Sequence, residues 1–168
     1  MKTFKTIFAA LILAALTTAA TAQENVNATA SAQVVVELDV EKLQDINFGD
    51  VALNATAVLD VVGGAHENVS GAAVSVGKFS VTATQYASID ISWTNTTLAH
   101  STEDLELDYT PAVARTTDEG ATTGEPFTAG EIIANEADYF LIGGSLVVPT
   151  GANAGTYEGT FTLTAEIN

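Results

Sequence analysis

Only two histidines are present, His66 beside a Gly-rich turn and His100 next to Ser101, so a base-activated hydroxyl would have to be built on one of them. Acyl transfer by such a pair needs an oriented imidazole and an oxyanion hole on a rigid frame, and no G-x-S-x-G turn supplies them. Both histidines read as solvated loop residues. Two acidic pairs, Glu103-Asp104 and Asp118-Glu119, are the raw material for carboxylate chemistry across a sugar-sized cleft. Neighbouring acids in polar loops read instead as solvated charge. Asp118, Glu119 and Glu125 share one Gly-rich loop, and calcium takes several oxygen ligands on pliable backbone. No EF-hand or RTX spacing occurs, so a calcium site at these three residues stands as an alternative to diffuse counterion binding. No other cofactor is implied, and the chain reads as non-enzymatic.

Trp93 closes an alternating run with Ile89 and Ile91, which makes it a core residue rather than a platform for stacking a sugar. N-x-[ST] triplets at Asn27, Asn54, Asn68 and Asn95 arise readily in a Thr-rich chain and mark exposed turns.

The elements that must position these residues are strands. At residues 28–40 every even position is apolar, from Ala28, Ala30 and Ala32 through Val34, Val36 and Leu38 to Val40, which is the period of a strand with one buried face. Ile46 and Phe48 continue it until Gly49-Asp50 shifts the apolar phase at a turn or bulge. Ala57, Leu59 and Val61 form the next strand, ending at Gly63-Gly64. Phe79, Val81 and Ala83 and then Ile89, Ile91 and Trp93 predict a hairpin about Gln85-Tyr86. Leu105, Leu107 and Tyr109 alternate until Pro111 ends the run, and residues 116–130 read as an exposed loop. Phe140 and Ile142 lead to a bulge at Gly143-Gly144, then Leu146 and Val148 stop at Pro149. Tyr157, Phe161, Leu163, Ala165 and Ile167 share one face of a single last strand. Roughly nine short strands and no capped helical period predict an all-β, immunoglobulin-like antiparallel sandwich.

Ahead of this domain, Lys2 and Lys5 precede an apolar run that ends on Ala20-Thr21-Ala22, the pattern of a secretory signal peptide over residues 1–22 rather than of a membrane span. Residues 23–33 form an N-terminal extension and residues 34–168 the sandwich, one domain with a sizeable core. The processed chain keeps three cations, Lys42, Lys78 and Arg115, against 21 acids, a formal net charge of −18. Nucleic acid and anionic membrane surfaces are poor partners, since no basic patch exists to neutralise phosphates. The chain contains no cysteine, so its stability must come from core packing and strand pairing.

Four segments, ATASAQVVVELDV, INFGDVALNATAVLDVV, KFSVTATQYASIDISW and GGSLVVPTGANAGTYEGTFTLTAEIN, resemble the bacterial secreted domain-of-unknown-function family 4402. The resemblance rests on the Ala-rich opening strand, on Asn47-Phe48-Gly49, and on a G-x-Y-x-G-T-hydrophobic ending matched by Gly155, Tyr157, Gly159, Thr160, Phe161 and Leu163. That ending is also similar to the last strand of spore-coat-U-like and chaperone–usher pilin domains, which are incomplete sandwiches completed by another subunit's strand. The resemblance implies a pilin-like structural protein. It differs from many pilins in lacking cysteine and in ending Ile167-Asn168.

The opening strand supplies a physical argument of its own. Thirteen residues at about 3.3 Å each span roughly 43 Å, more than twice a usual strand. Either the strand crosses between sheets, or its first part leaves the domain and adds to a neighbour's edge, with Ala28, Ala30, Ala32, Val34 and Val36 at the subunit interface. The expected role is therefore a secreted subunit of an extracellular fibre, pilus or surface coat, a homopolymer at the cell surface that crosses the periplasm where there are two membranes. The alternative is a monomeric secreted binding module for glycan or calcium, or an adhesin domain.

Overall fold

The computed structural model describes residue 29, residues 31–94 and residues 96–168. The signal-peptide assignment, Ala28 and Ala30, and the triplets at Asn27 and Asn95 lie outside the described residues. Val35–Asn168 forms one compact unit. Among the described residues all elements are strands, and no helix is long and apolar enough to cross a membrane.

The strands are β1 (Leu38–Gln44), β2 (Ala55–Leu59), β3 (Gly77–Ala83), β4 (Ser88–Thr94), β5 (Thr97–His100), β6 (Glu106–Thr116), β7 (Glu125–Phe127), β8 (Gly130–Ile133), β9 (Ala137–Val148), β10 (Tyr157–Glu158) and β11 (Thr162–Ile167). They make an antiparallel sandwich, as the alternation predicts. The larger sheet runs β1-β3-β9-β6-β5-β10, with β2 beside the second half of β9 and β7 beside β6. The smaller sheet is β11-β4-β8. The long strands β6 and β9 pair over nine residues and form the spine of the larger sheet.

Several expectations are corrected by this topology. Among the described residues, ladder pairing begins at Leu38, where β1 meets Ala83 of β3. Residues 31–36 carry the alternation but have no partner strand among the described residues, and Val34 is 92% exposed. Strands β3 and β4 are not a hairpin, because they belong to different sheets. The chain turns between the sheets at Tyr86, whose φ of 67° is a left-handed backbone and whose N–H donates to Ala134 O at 2.9 Å. The short strand β5 is an addition, since Thr97-Leu98-Ala99-His100 is too brief to show a period.

Pro111 does not end its strand. It pairs with Gly144 of β9, and on the opposite edge of β6 it falls between the residues paired to β5 (106–108) and those paired to β7 (113–115). At that position the outer edge is open, and a missing N–H costs no ladder bond there. The exposed loop over residues 116–130 likewise contains β7. Gly143-Gly144 is not a register bulge, for the β6–β9 ladder passes through it unbroken. The pair serves close approach instead. A Cβ on Gly143 would overlap Leu59 O, and Gly144, at a φ of 125°, sits against Thr110 O.

The last strand divides. Tyr157-Glu158 pairs with β5 in the larger sheet, and residues 162–167 pair with β4 in the smaller one. Residues 159–161 carry the chain from one sheet to the other and belong to neither ladder. Phe161, at the crossing, packs against both hydrophobic clusters. One cluster joins Val81, Ile89, Ile91, Ile132, Phe140 and Ile142 between the two sheets. The other gathers Phe48, Leu59, Leu107, Tyr109, Leu146 and Val148 around the second half of β9.

Candidate functional site: a groove between two irregular segments

The second cluster is not roofed by the three-stranded sheet. Over it lies a cavity of about 1000 Å³, bounded by residues 44–51 and 153–161 and lined from the larger sheet by Leu107, Tyr109, Leu146 and Val148. Protein interiors hold few voids larger than a water molecule, so a space of this size is a groove open to an occupant rather than a packing fault.

The two sequence motifs build its walls. In Asn47-Phe48-Gly49 the Asn47 carboxamide accepts the Gly49 N–H at 2.7 Å, and Asn47 pairs through its backbone with Ser75. Gly49 has a φ of 66°, and a Cβ there would overlap Ser70 O, so only glycine fits. This turn drives Phe48 inward, where its ring meets Tyr109 edge-on with centroids 5.6 Å apart. The Tyr109 hydroxyl donates to Gly143 O at 2.6 Å, and burial pushes its pKa well above the ordinary 10.0.

On the other wall, Gly155, Tyr157 and Gly159 dock the chain end onto β5. A Cβ on Gly155 would overlap the His100 imidazole, and one on Gly159 would overlap Thr97 O. The Tyr157 ring stands edge-on to His100 at 4.8 Å, and its hydroxyl donates to Asn153 O at 2.9 Å. His100 is therefore a half-buried strand residue and not a solvated loop histidine. Its Nδ1 accepts the Glu103 N–H at 3.1 Å and the Thr102 N–H at 3.3 Å, and its buried Nε2 has no partner among the described residues. His66 is exposed, and its Nδ1 accepts the Asp60 N–H at 3.1 Å. Both imidazoles cap backbone N–H groups, and the hydroxyl beside His100 Nδ1 is that of Thr102, 3.5 Å away.

The calcium candidates are not brought together. Asp118 Oδ1 accepts the Gly120 N–H at 2.9 Å, while Glu125 lies on β7 opposite Arg115. Among the described residues no group of three or more histidines and acids is placed to hold a metal ion. Lys78 ties the acidic loop down, its Nζ donating to Glu119 O at 2.6 Å and Ala121 O at 2.9 Å. Trp93 is half-buried and packs on Phe127, which in turn meets Phe140 at 5.3 Å. Asn54 and Asn68 occupy exposed left-handed turns, at φ of 58° and 52°. Asp60 anchors another turn, its carboxylate held below the usual range first by the Val62 N–H and then by the Gly63 N–H.

A buried ion pair escaped the sequence reading altogether. Asp138 is wholly buried, and its Oδ1 accepts from Arg115 Nε at 3.0 Å and Asn135 Nδ2 at 2.8 Å, while Oδ2 accepts the Asn135 N–H at 3.0 Å. The only signal was that an alternating strand places Asp138 on the face of Phe140.

The family model for the domain of unknown function DUF4402 matches residues 38–166, from the first residue of β1 almost to the end of β11. Both groove walls lie inside the match, and the segment before Leu38 lies outside it. No curated protein matches the chain.

Proposed function

We propose, from the premise that the chain belongs to the DUF4402 family, that it is a non-enzymatic secreted structural protein. In this reading it is a subunit of an extracellular fibre, pilus or surface coat that self-associates by adding a strand to a neighbour. The observation that carries the reading is the segment before β1. Residues 25–36 contain no charge in a processed chain of −18, alternate apolar residues in strand period, and end on Val34, Val35 and Val36, all exposed. Each valine contributes roughly 1.5–3 kcal/mol on full burial, a gain that this segment does not realise within its own chain. An uncharged run is also the part of an acidic molecule that approaches a second copy without like-charge repulsion.

Secretion to the extracellular medium or cell surface follows from the leader pattern, with periplasmic transit in a two-membrane cell. The second reading, a monomeric binding module for glycan or calcium or an adhesin domain, draws on the groove itself, whose volume of about 1000 Å³ is that of a small-ligand site. Size-exclusion chromatography of the processed protein with and without residues 23–33 separates the two. Concentration-dependent assembly that disappears with the deletion supports the structural subunit, and two monomers at every concentration refute it.

A further inference from the structure

The second reading above leaves the ligand of the groove open between glycan and calcium. We infer that the groove between residues 44–51 and 153–161 is a site for a neutral saccharide chain, held between the two walls by its hydroxyls. The inference deepens that second reading and rests on it.

The floor of the groove is closed. Leu107, Tyr109, Leu146 and Val148 are buried there, so an occupant meets the walls and not the larger sheet. The walls mix two kinds of side chain. Ile46, Val51, Tyr157 and Phe161 are half-buried and offer apolar edges. Gln44, Asp50, Thr156, Glu158 and Thr160 are exposed between them, and none of these side chains is engaged by a hydrogen bond or ion pair within the described residues. Asn47 gives its carboxamide oxygen to the Gly49 N–H at 2.7 Å, and its Nδ2 has no partner among the described residues. Ligand sites pair apolar lining with a few polar groups that fix orientation. A sugar ring answers both, with C–H faces for the apolar edges and hydroxyls that donate and accept at once, which suits carboxylates, amides and other hydroxyls alike.

Charge narrows the ligand class further. Asp45, Asp50 and Glu158 stand around the groove with Lys42 as its one cation, and Lys42 is already held by Asp45 at 2.6 Å. A sulfate, phosphate or uronate group would therefore meet like charge with no free cation to offset it. Calcium takes several oxygen ligands at one point, and among the described residues no group of three or more histidines and acids is placed to hold a metal ion. A purely apolar molecule would strip water from the polar groups of both walls and return no hydrogen bond. A neutral polyhydroxylated chain meets none of these objections.

The test is a titration followed by backbone amide chemical shifts. Isotope-labelled processed protein is titrated to millimolar concentration with neutral hexasaccharides of glucose, mannose and galactose, and with the methyl glycosides of the same sugars. The expected result is saturable shifts confined to residues 44–51 and 153–161 with at least one hexasaccharide, bound roughly tenfold or more tightly than its methyl glycoside because a chain engages both walls at once. Gln44→Ala on one wall and Glu158→Ala on the other should each weaken that binding roughly tenfold, whereas Glu166→Ala, an equal loss of charge on β11, should leave it unchanged. Equal binding by a galacturonate hexasaccharide, equal shifts with calcium alone, or a hexasaccharide that shifts residues away from the two walls overturns the inference. So does a panel in which no sugar moves the walls. The second reading falls with it only if calcium and the neutral apolar dye Nile red also leave the walls unmoved, and the structural-subunit reading is untouched by either result.

Discussion

The two halves of β9 pass through differently built surroundings. Its first half, with Phe140 and Ile142, faces Ile89, Ile91 and Ile132 across a second sheet, and the cluster there is sealed. Its second half, with Leu146 and Val148, faces two irregular segments and a groove of about 1000 Å³. Both halves obey the same alternation, so what separates a closed core from an open one is the covering element. A sheet roofs a strand continuously, whereas loops pinned by Asn47, Gly49, Gly155 and Gly159 roof it only at their anchor points.

Substitutions that probe the sealed half should have the largest effect. Arg115→Met leaves the Asp138 carboxylate buried with only Asn135 to bind it, and breaking such a pair costs about 3–5 kcal/mol, read as a fall in the denaturant midpoint. Phe140→Ala should cost a similar 3–5 kcal/mol by opening a void among Ile142, Phe127 and Val81. In the groove half, Phe48→Ala enlarges a space that is already there, so the cavity contribution shrinks and the loss should be roughly half as large. Equal losses at Phe140 and Phe48 would erase the distinction between the halves.

Tyr109→Phe sharpens the comparison at the boundary. It removes the bond to Gly143 O and should cost about 1–2 kcal/mol near neutral pH. Its pH dependence has a definite sign. The folded phenol's pKa is raised by burial, so the stability it contributes is complete below the ordinary 10.0 and is lost as pH rises above that value. Wild-type protein should lose stability above pH 10 by more than the variant does, as followed by circular dichroism. Ala30→Asp should move folding stability by less than about 0.5 kcal/mol yet abolish assembly seen by electron microscopy. Folded Ala30→Asp protein that still assembles contradicts strand donation. The smallest effect expected is that of salt. Screening relieves the repulsion of a chain at −16, or −18 once the proposed leader is removed, and the melting temperature should rise by a few degrees from low to molar ionic strength.

The sheets were legible because Phe79, Val81, Ile89, Ile91, Phe140, Ile142 and Leu163 keep strict period two, which survives any choice of partner. What the period cannot encode is which strand lies beside which. Phe79-to-Ala83 and Ile89-to-Trp93 look like a hairpin until Tyr86 turns the chain into the other sheet, and Tyr157 and Leu163 look like one strand until residues 159–161 change sheets. Pro111 looked like a stop because proline normally is one, and only the open edge opposite it shows why it is not. The groove was invisible for the same reason. Its walls are 44–51 and 153–161, about a hundred residues apart, and their motif residues Asn47, Gly49, Gly155 and Gly159 announce tight turns without announcing that the turns face one space.

The cations carry a consequence for matter made of this protein. Lys42 is held by Asp45, Lys78 by two loop carbonyls, and Arg115 by Asp138, so each positive charge of the processed chain is spent inside the molecule that bears it. A layer of such molecules would hold few positive groups free to cross-link it, and with the proposed leader removed electroneutrality would require about 18 monovalent counterions per copy. Its osmotic pressure would draw in water and keep it swollen in dilute medium, while divalent ions would exchange in and shrink it. A coat built as proposed above would be, in materials terms, a cation-exchange gel whose thickness follows the ions around it.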